Sequence, residues 1–281
     1  MLGISSLGDW LGLLATSIFA ASQVDSSAAK GLAFGSVIAV RLLPAMVLGP
    51  VAGVLADRFD RRYTMVVCDV ARFLLFASIP TVGLVSGNAA LVVGWAAVAT
   101  FVIETVSMAW APAKDAAVPN LLPKARLELA NQLSLATTYG VTPVFAALVL
   151  SGLTRLIETV HPSPRPQDLV SPTNIALYFN ALTFLATALV VLFGIKEISG
   201  RGLRRHEHRP GLLREFWHGW AYVGKTAVVR GLVLGMLGAF AGAGVVVGTG
   251  QFYAKSLGGG DPTFYLLFAV LFSGLAAGIV G

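Results

Sequence analysis

Gly53-Val54-Leu55-Ala56-Asp57-Arg58-Phe59-Asp60-Arg61-Arg62 packs five charges into its last six residues, yet it lies between two long apolar runs. A turn of this kind fits a chain leaving and re-entering a hydrocarbon layer. About 20 apolar residues cross such a layer as a helix. The flanking runs, Leu32 to Ala56 and Tyr63 to Val85, are long enough, as are Leu2 to Ala21, Ala89 to Ala111, Leu133 to Leu153, Ile175 to Ile195, Val228 to Gly250 and Phe264 to Gly281. The runs are continuously apolar and lack the alternation of a membrane barrel, so helices are expected. The fold class read here is all-α, a polytopic transmembrane helix bundle.

Composition agrees. The 281 residues are 56% hydrophobic and 12% charged, whereas a soluble domain carries about 25% charged residues. The lipid bilayer is therefore the expected surrounding partner. The net charge of +6 raises nucleic acid as a partner, but the basic residues sit in connections, with no basic cluster interleaved with stacking aromatics, and nucleic acid is set aside. A lone cysteine, Cys68, excludes an internal disulfide. His161, His206, His208 and His218 read as solvated loop residues without zinc spacing, so no metal site is expected. No P-loop, dinucleotide fingerprint, zinc motif or nucleophile elbow is present, which points away from an enzyme and from any cofactor.

Orientation follows from lysine and arginine, which cytoplasmic loops hold in excess. Connections after the second, fourth and sixth runs carry fourteen of them, from Arg58 to Arg230, against four (Lys30, Arg155, Arg165, Lys255) in the others. The expected protein is multi-pass in the plasma (inner) membrane, N-terminus cytoplasmic. The first run has no basic residue before it and exceeds a signal-peptide core, so it reads as retained. Residues 196–227 form a basic connector with Trp217, Trp220 and Tyr222, suited to an amphipathic helix on the membrane surface. It divides a six-helix unit, 1–195, from two helices, 228–281, the layout of a transporter built from two related halves. Gly49 and Gly53, echoed by Gly274 and Gly278, hint weakly at that repeat.

The opening stretch resembles the signature loop of the major facilitator superfamily: glycine, three residues, aspartate, a basic residue, any residue, glycine, arginine, a basic residue. Asp60 stands where the second glycine is expected, a departure usual in the branch of siderophore and drug exporters. Arg41-Leu42-Leu43-Pro44, Gly49-Pro50, the loop Ala111-Pro112-Ala113-Lys114 leading to Val118-Pro119-Asn120-Leu121, and Asn180-Ala181-Leu182-Thr183-Phe184 are similar to that branch too. The resemblance implies efflux of a small-molecule substrate by alternating access. It also implies that Gly53, Asp57, Arg58, Asp60, Arg61 and Arg62 form a conformational latch, with Asp57 contacting the second half. The antiporter pattern of the fifth span is met only by Gly140-Val141-Thr142-Pro143. About twelve helices are implied, so the chain reads as truncated after eight, the rest coming from a continuation or a partner chain.

Charges inside apolar runs need partners or functions, since one at the bilayer centre costs at least about 2.5 kcal/mol. Asp69 and Arg72, three apart, read as a structural pair supporting the Asp57 loop, and Arg41 as a partner for Asp9. Glu104 has no basic partner on its own helix. It is either a proton or cation carrier or a structural hydrogen-bonding group. Tyr139 and Asn180, with Gln23, Asn131 and Gln132, are candidates for a polar cavity, although helix capping accounts equally for the last three. Gly231, Gly235, Gly238, Gly242, Gly244 and Gly248 read as a close-packing surface. Two functions remain open: ion-coupled secondary transport, with a proton as the coupling ion, or a non-transporting anchor, scaffold or truncated relative.

Overall fold

A computed structural model describes residues 2–58, 60–121, 123–161, 168–194 and 212–280. These residues form ten α-helices: α1 (Leu2–Ser22), α2 (Ser27–Arg58), α3 (Arg61–Val85), α4 (Ala89–Leu121), α5 (Leu127–Leu135), α6 (Thr142–Val160), α7 (Pro172–Leu189), α8 (Leu212–Lys225), α9 (Ala227–Ser256) and α10 (Asp261–Val280). No strand occurs among the described residues, and the chain is an all-α polytopic bundle. Among the described residues six helical stretches are long and apolar enough to cross a membrane: Gly3–Ser22, Arg61–Val85, Ala89–Pro119, Leu127–Val160, Pro172–Gly194 and Ala227–Ser256. α2 and α10 coincide with the remaining two expected runs.

α1 is the enclosed centre, packing on α2, α6 and α7, while α3 lies between α4 and α7. Leu11, Leu14, Ala15, Ile18 and Phe19 of α1 are buried against Phe76, Ile79, Ala96, Ala147, Leu177 and Phe184. α10 packs on α6 and reaches this core through rings. Phe268 and Phe272 lie 6.0 and 4.8 Å from Trp10, and Phe264 lies 5.9 Å from Phe34. Edge-on aromatic pairs of this kind add about 0.5–1.5 kcal/mol beyond their buried area.

Helix ends are set by local chemistry. Ser171 caps α7, accepting from Asn174 N at 3.3 Å, with Pro172 in the first turn. Gly258, at φ 77°, turns the chain between α9 and α10.

The expected loop from Ala111 to Leu121 is instead helix: α4 continues through Pro112 and Pro119, with Ala113 and Ala117 buried. Each proline withdraws a single backbone donor, and the packing of Ala113 and Ala117 with Met65, Cys68 and Val191 holds the helix through it. The fifth run is longer than expected, because α5 joins α6 through a π-turn, Ala136–Val141, and α7 ends in another, Val190–Gly194. Asn131 and Gln132 are exposed within α5 rather than capping an end. His218 lies on α8, not in a loop, whereas His206 and His208 fall outside the described residues. Of the seven glycines of α9, Gly231, Gly235, Gly238, Gly242, Gly244 and Gly248 have no atom of the described residues within 4 Å of where a Cβ would stand, whereas a Cβ on Gly250 would lie 3.2 Å from the Phe264 ring. Among the described side chains of α9, those buried lie near its C-terminal end, at Gln251 and Ala254.

Candidate functional site

The charged residues of α1 to α4 converge. Arg72, 2% exposed, is the hub. Its Nη1 donates to Asp69 Oδ1 at 3.3 Å, its Nη2 to Asp9 Oδ1 at 3.2 Å, and its Nε to Ser107 Oγ at 2.9 Å. The guanidinium also lies 4.6 Å from the Phe184 ring centre and 5.1 Å from that of Trp110, within cation–π range. Asp69 is fully enclosed and accepts from Trp110 Nε1 on Oδ2 at 3.1 Å. A buried charge persists only when paired and hydrogen-bonded, and every group around Arg72 meets that condition.

One expectation is carried further here, and one is corrected. Glu104 has a partner: Arg41 Nε lies 2.9 Å from its Oε1, the pair bridging α2 and α4. Arg41 does not bind the Asp9 carboxylate, since its Nη1 donates to the Asp9 backbone carbonyl at 3.2 Å. The neighbouring helix provides what Glu104 lacks on its own. Asp69 and Arg72 do pair, but the contacts of Arg72 run to α1, α4 and α7. Ser107, Trp110 and Phe184 were missed as part of this cluster. For the two on α4 the signal is the three-residue spacing Glu104, Ser107, Trp110, which puts them on one side of that helix with Glu104; Phe184, on α7, has no such signal.

The signature loop has its own geometry. Asp60, in place of glycine, is the N-cap of α3, its Oδ1 accepting from Arg62 N at 3.1 Å and Tyr63 N at 3.3 Å. Arg61 Nη1 donates to Ala116 O on α4 at 2.8 Å, three residues before Pro119. Arg62 donates through Nε to Val191 O at 3.2 Å and through Nη2 to Leu192 O, in the π-turn that ends α7. The last carbonyls of a helix have no intrahelical donor and favour a cation, which describes Val191 and Leu192; the Ala116 carbonyl lies one turn inside the end of α4. The two arginines thus staple the ends of α4 and α7 to the start of α3. Gly53, Asp57 and Arg58 belong to α2, but their side chains lie outside the described residues, as does any latch at Asp57.

The remaining candidates separate. Tyr139 is exposed on the first π-turn. There Thr138 O would take its donor from Pro143, which has no N–H; it accepts instead from Trp10 Nε1 at 2.7 Å and Thr142 Oγ1 at 3.0 Å. Asn180 is fully buried, and neither carboxamide atom has a partner. It lies against α1: a Cβ on Gly8 would stand 2.7 Å from its Oδ1, and one on Gly12 2.7 Å from its Nδ2. Gln23 is partly buried with Nε2 unpartnered. No group of His, Cys, Asp and Glu suited to a metal occurs among the described residues.

The chain is 34% identical over 132 residues to the uncharacterized MFS-type transporter YfiS of Bacillus subtilis, a match covering 47% of this chain and 29% of that protein. It is also 34% identical over 111 residues to the uncharacterized MFS-type transporters Rv0037c of Mycobacterium tuberculosis and Mb0038c of Mycobacterium bovis, covering 39% of this chain and 24% of theirs. The chain thus matches less than a third of the length of these relatives. No family model matches, and no solved structure matches. The protein is a multi-pass membrane helix bundle, and these relatives support its membership of the major facilitator superfamily.

Proposed function

We propose that the chain is the N-terminal part of a secondary transporter that moves a small molecule out of the cell by alternating access, driven by an ion gradient. The observation that carries this reading is the enclosed charge cluster around Arg72. Five ionisable groups are held between four apolar helices, a costly arrangement that an inert anchor does not need. Residues 1–195 form the first six-helix unit, 196–227 the connector, and 228–281 the start of a second unit. In this reading the protein sits in the plasma membrane with its N-terminus and the Arg61/Arg62 loop facing the cytoplasm, and the loop's staples hold the inner ends of α3, α4 and α7 as one body.

Everted membrane vesicles provide the test. With the protein present and a proton gradient imposed, ethidium movement exceeds that of vesicles lacking it. A carrier that equals the control under every imposed ion gradient tried is not a transporter of this class.

A further inference from the structure

α8 lies at one end of the bundle, packed on α2 and α9. Phe252, near the C-terminus of α9, abuts Gly31 near the start of α2: a Cβ on Gly31 would stand 2.8 Å from its ring. α9 therefore runs antiparallel to α2, and its N-terminus, with α8 before it, falls on the side where α2 ends and α3 begins at Arg61. The elbow between α8 and α9 is closed by hydrogen bonds. Thr226 N donates to Tyr222 O at 3.0 Å, and Arg230 Nη1 to Gly224 O at 3.0 Å. A cation on the last carbonyls of a helix suits the negative end of its dipole, so α8 is held in place against α9.

The sequence of α8 has two faces. At 3.6 residues per turn Trp217, Trp220 and Val223 fall within about 120° of arc, while Arg214, His218 and Lys225 fall within about 40° outside it. Arg214, His218 and Lys225 are all exposed, and so are Trp217, Trp220 and Tyr222. Three large rings on the outside of one short helix are poorly placed in water. Indole and phenol groups settle at the level of lipid headgroups, where the apolar body and the polar tip are both satisfied. Rings alone would suit any bilayer, and charge makes the choice. Residues 196–227 hold seven lysines and arginines against three acidic residues, so the stretch that carries α8 complements an anionic surface better than a neutral one.

We propose that the exposed face of α8 is a docking surface for anionic phospholipid headgroups. Arg214 and Lys225 meet the phosphates, and Trp217 and Trp220 seat the helix at headgroup depth. The lipid belongs to the leaflet on the side of the Arg61/Arg62 turn. Through the closed elbow at Arg230 it also fixes the depth at which α9 enters the bilayer. The inference needs α8 to meet a membrane and does not rest on transport.

The experiment uses the whole chain, with Trp10, Trp95 and Trp110 replaced by Phe, in phosphatidylcholine nanodiscs that carry a minor fraction of brominated lipid. Brominated phosphatidylglycerol quenches Trp217 and Trp220 more than the same fraction of brominated phosphatidylcholine does, and the excess shrinks as salt is raised, because exposed charges are screened. Each basic residue near the surface enriches anionic lipid roughly fivefold. Arg214→Gln/Lys225→Gln therefore removes most of the excess, and Arg214→Lys/Lys225→Arg keeps it. Equal quenching by the two lipids, or quenching by neither, overturns the proposal. An excess that survives in the double Gln variant places the lipid on another basic stretch and overturns it too. A second measurement leaves every tryptophan in place: native mass spectrometry of the wild type, released from nanodiscs of equal phosphatidylglycerol and phosphatidylcholine, finds more adducts of the former, and fewer of them in Arg214→Gln/Lys225→Gln. Equal numbers in wild type and variant would count against the assignment just as firmly. A carrier that moves no ethidium but shows the lipid preference would sink the transporter reading and leave this surface standing.

Discussion

Arg41 and Glu104 meet at 2.9 Å between α2 and α4, and each is 21% exposed, so the pair ties two membrane helices together at a partly wetted point. Removing one partner leaves the other charge unbalanced. Glu104→Gln and Arg41→Gln are each expected to destabilise the protein by about 2 kcal/mol, less than the 3–5 kcal/mol typical of fully buried pairs. The double variant Arg41→Met/Glu104→Leu recovers most of the loss. Thermal unfolding in detergent, analysed as a double-mutant cycle, measures the coupling; additive losses would show that the two side chains do not depend on each other.

Arg62 makes a different kind of contact, with one guanidinium on the carbonyls of Val191 and Leu192. A planar fork can bridge two acceptors, and an ammonium cannot do so with the same geometry. Arg62→Ala should cost about 1.5–3 kcal/mol, the range for hydrogen bonds to charged groups, and Arg62→Lys should not restore it. Amide exchange in residues 190–194 reports the effect locally, and unchanged protection there in Arg62→Ala would refute the staple.

Asn180 offers a change that separates stability from activity. Both of its amide atoms are buried without partners, so Asn180→Leu, of similar size and apolar, is expected to raise stability by about 1–2 kcal/mol. The same variant should lose ethidium movement in everted vesicles. A destabilised Asn180→Leu would mean that the carboxamide is satisfied in the membrane.

Trp217 and Trp220 on α8 are both exposed, as are Arg214, His218 and Lys225. A helix lying in the headgroup region predicts that lipids brominated near the headgroup quench these tryptophans more than lipids brominated near the chain ends do. The measurement is made with Trp10, Trp95 and Trp110 replaced by Phe. Equal quenching at both depths, or none, would remove α8 from the interface.

The helical framework was legible because lipid imposes a length rule: each apolar run near 20 residues became a helix, to within a few residues at most ends. Asp60 as the start of α3 follows from ordinary capping chemistry. The departures share a cause. The helix through Pro112 and Pro119, the π-turn before Pro143, and the partner of Glu104 all depend on which helices become neighbours, and a linear pattern does not contain that. Glu104 looked solitary because its counter-charge is on α2. Asn180 was legible as a polar group in an apolar run, but its want of a partner appears only once α1 is laid against it.

The rings that join α10 to the rest have one further consequence. Across the joint Trp10 meets Phe268 at 63° and Phe272 at 66°, and Phe34 meets Phe264 at 81°, all edge-on. Edge-to-face arrangements are favoured over a face-to-face sandwich, and a long hydrogen bond accompanies the rings where α10 meets α6, Ser151 Oγ donating to Pro262 O at 3.3 Å. The join is one of fitted rings more than of polar anchors, closer to an oiled joint than to a bolted one.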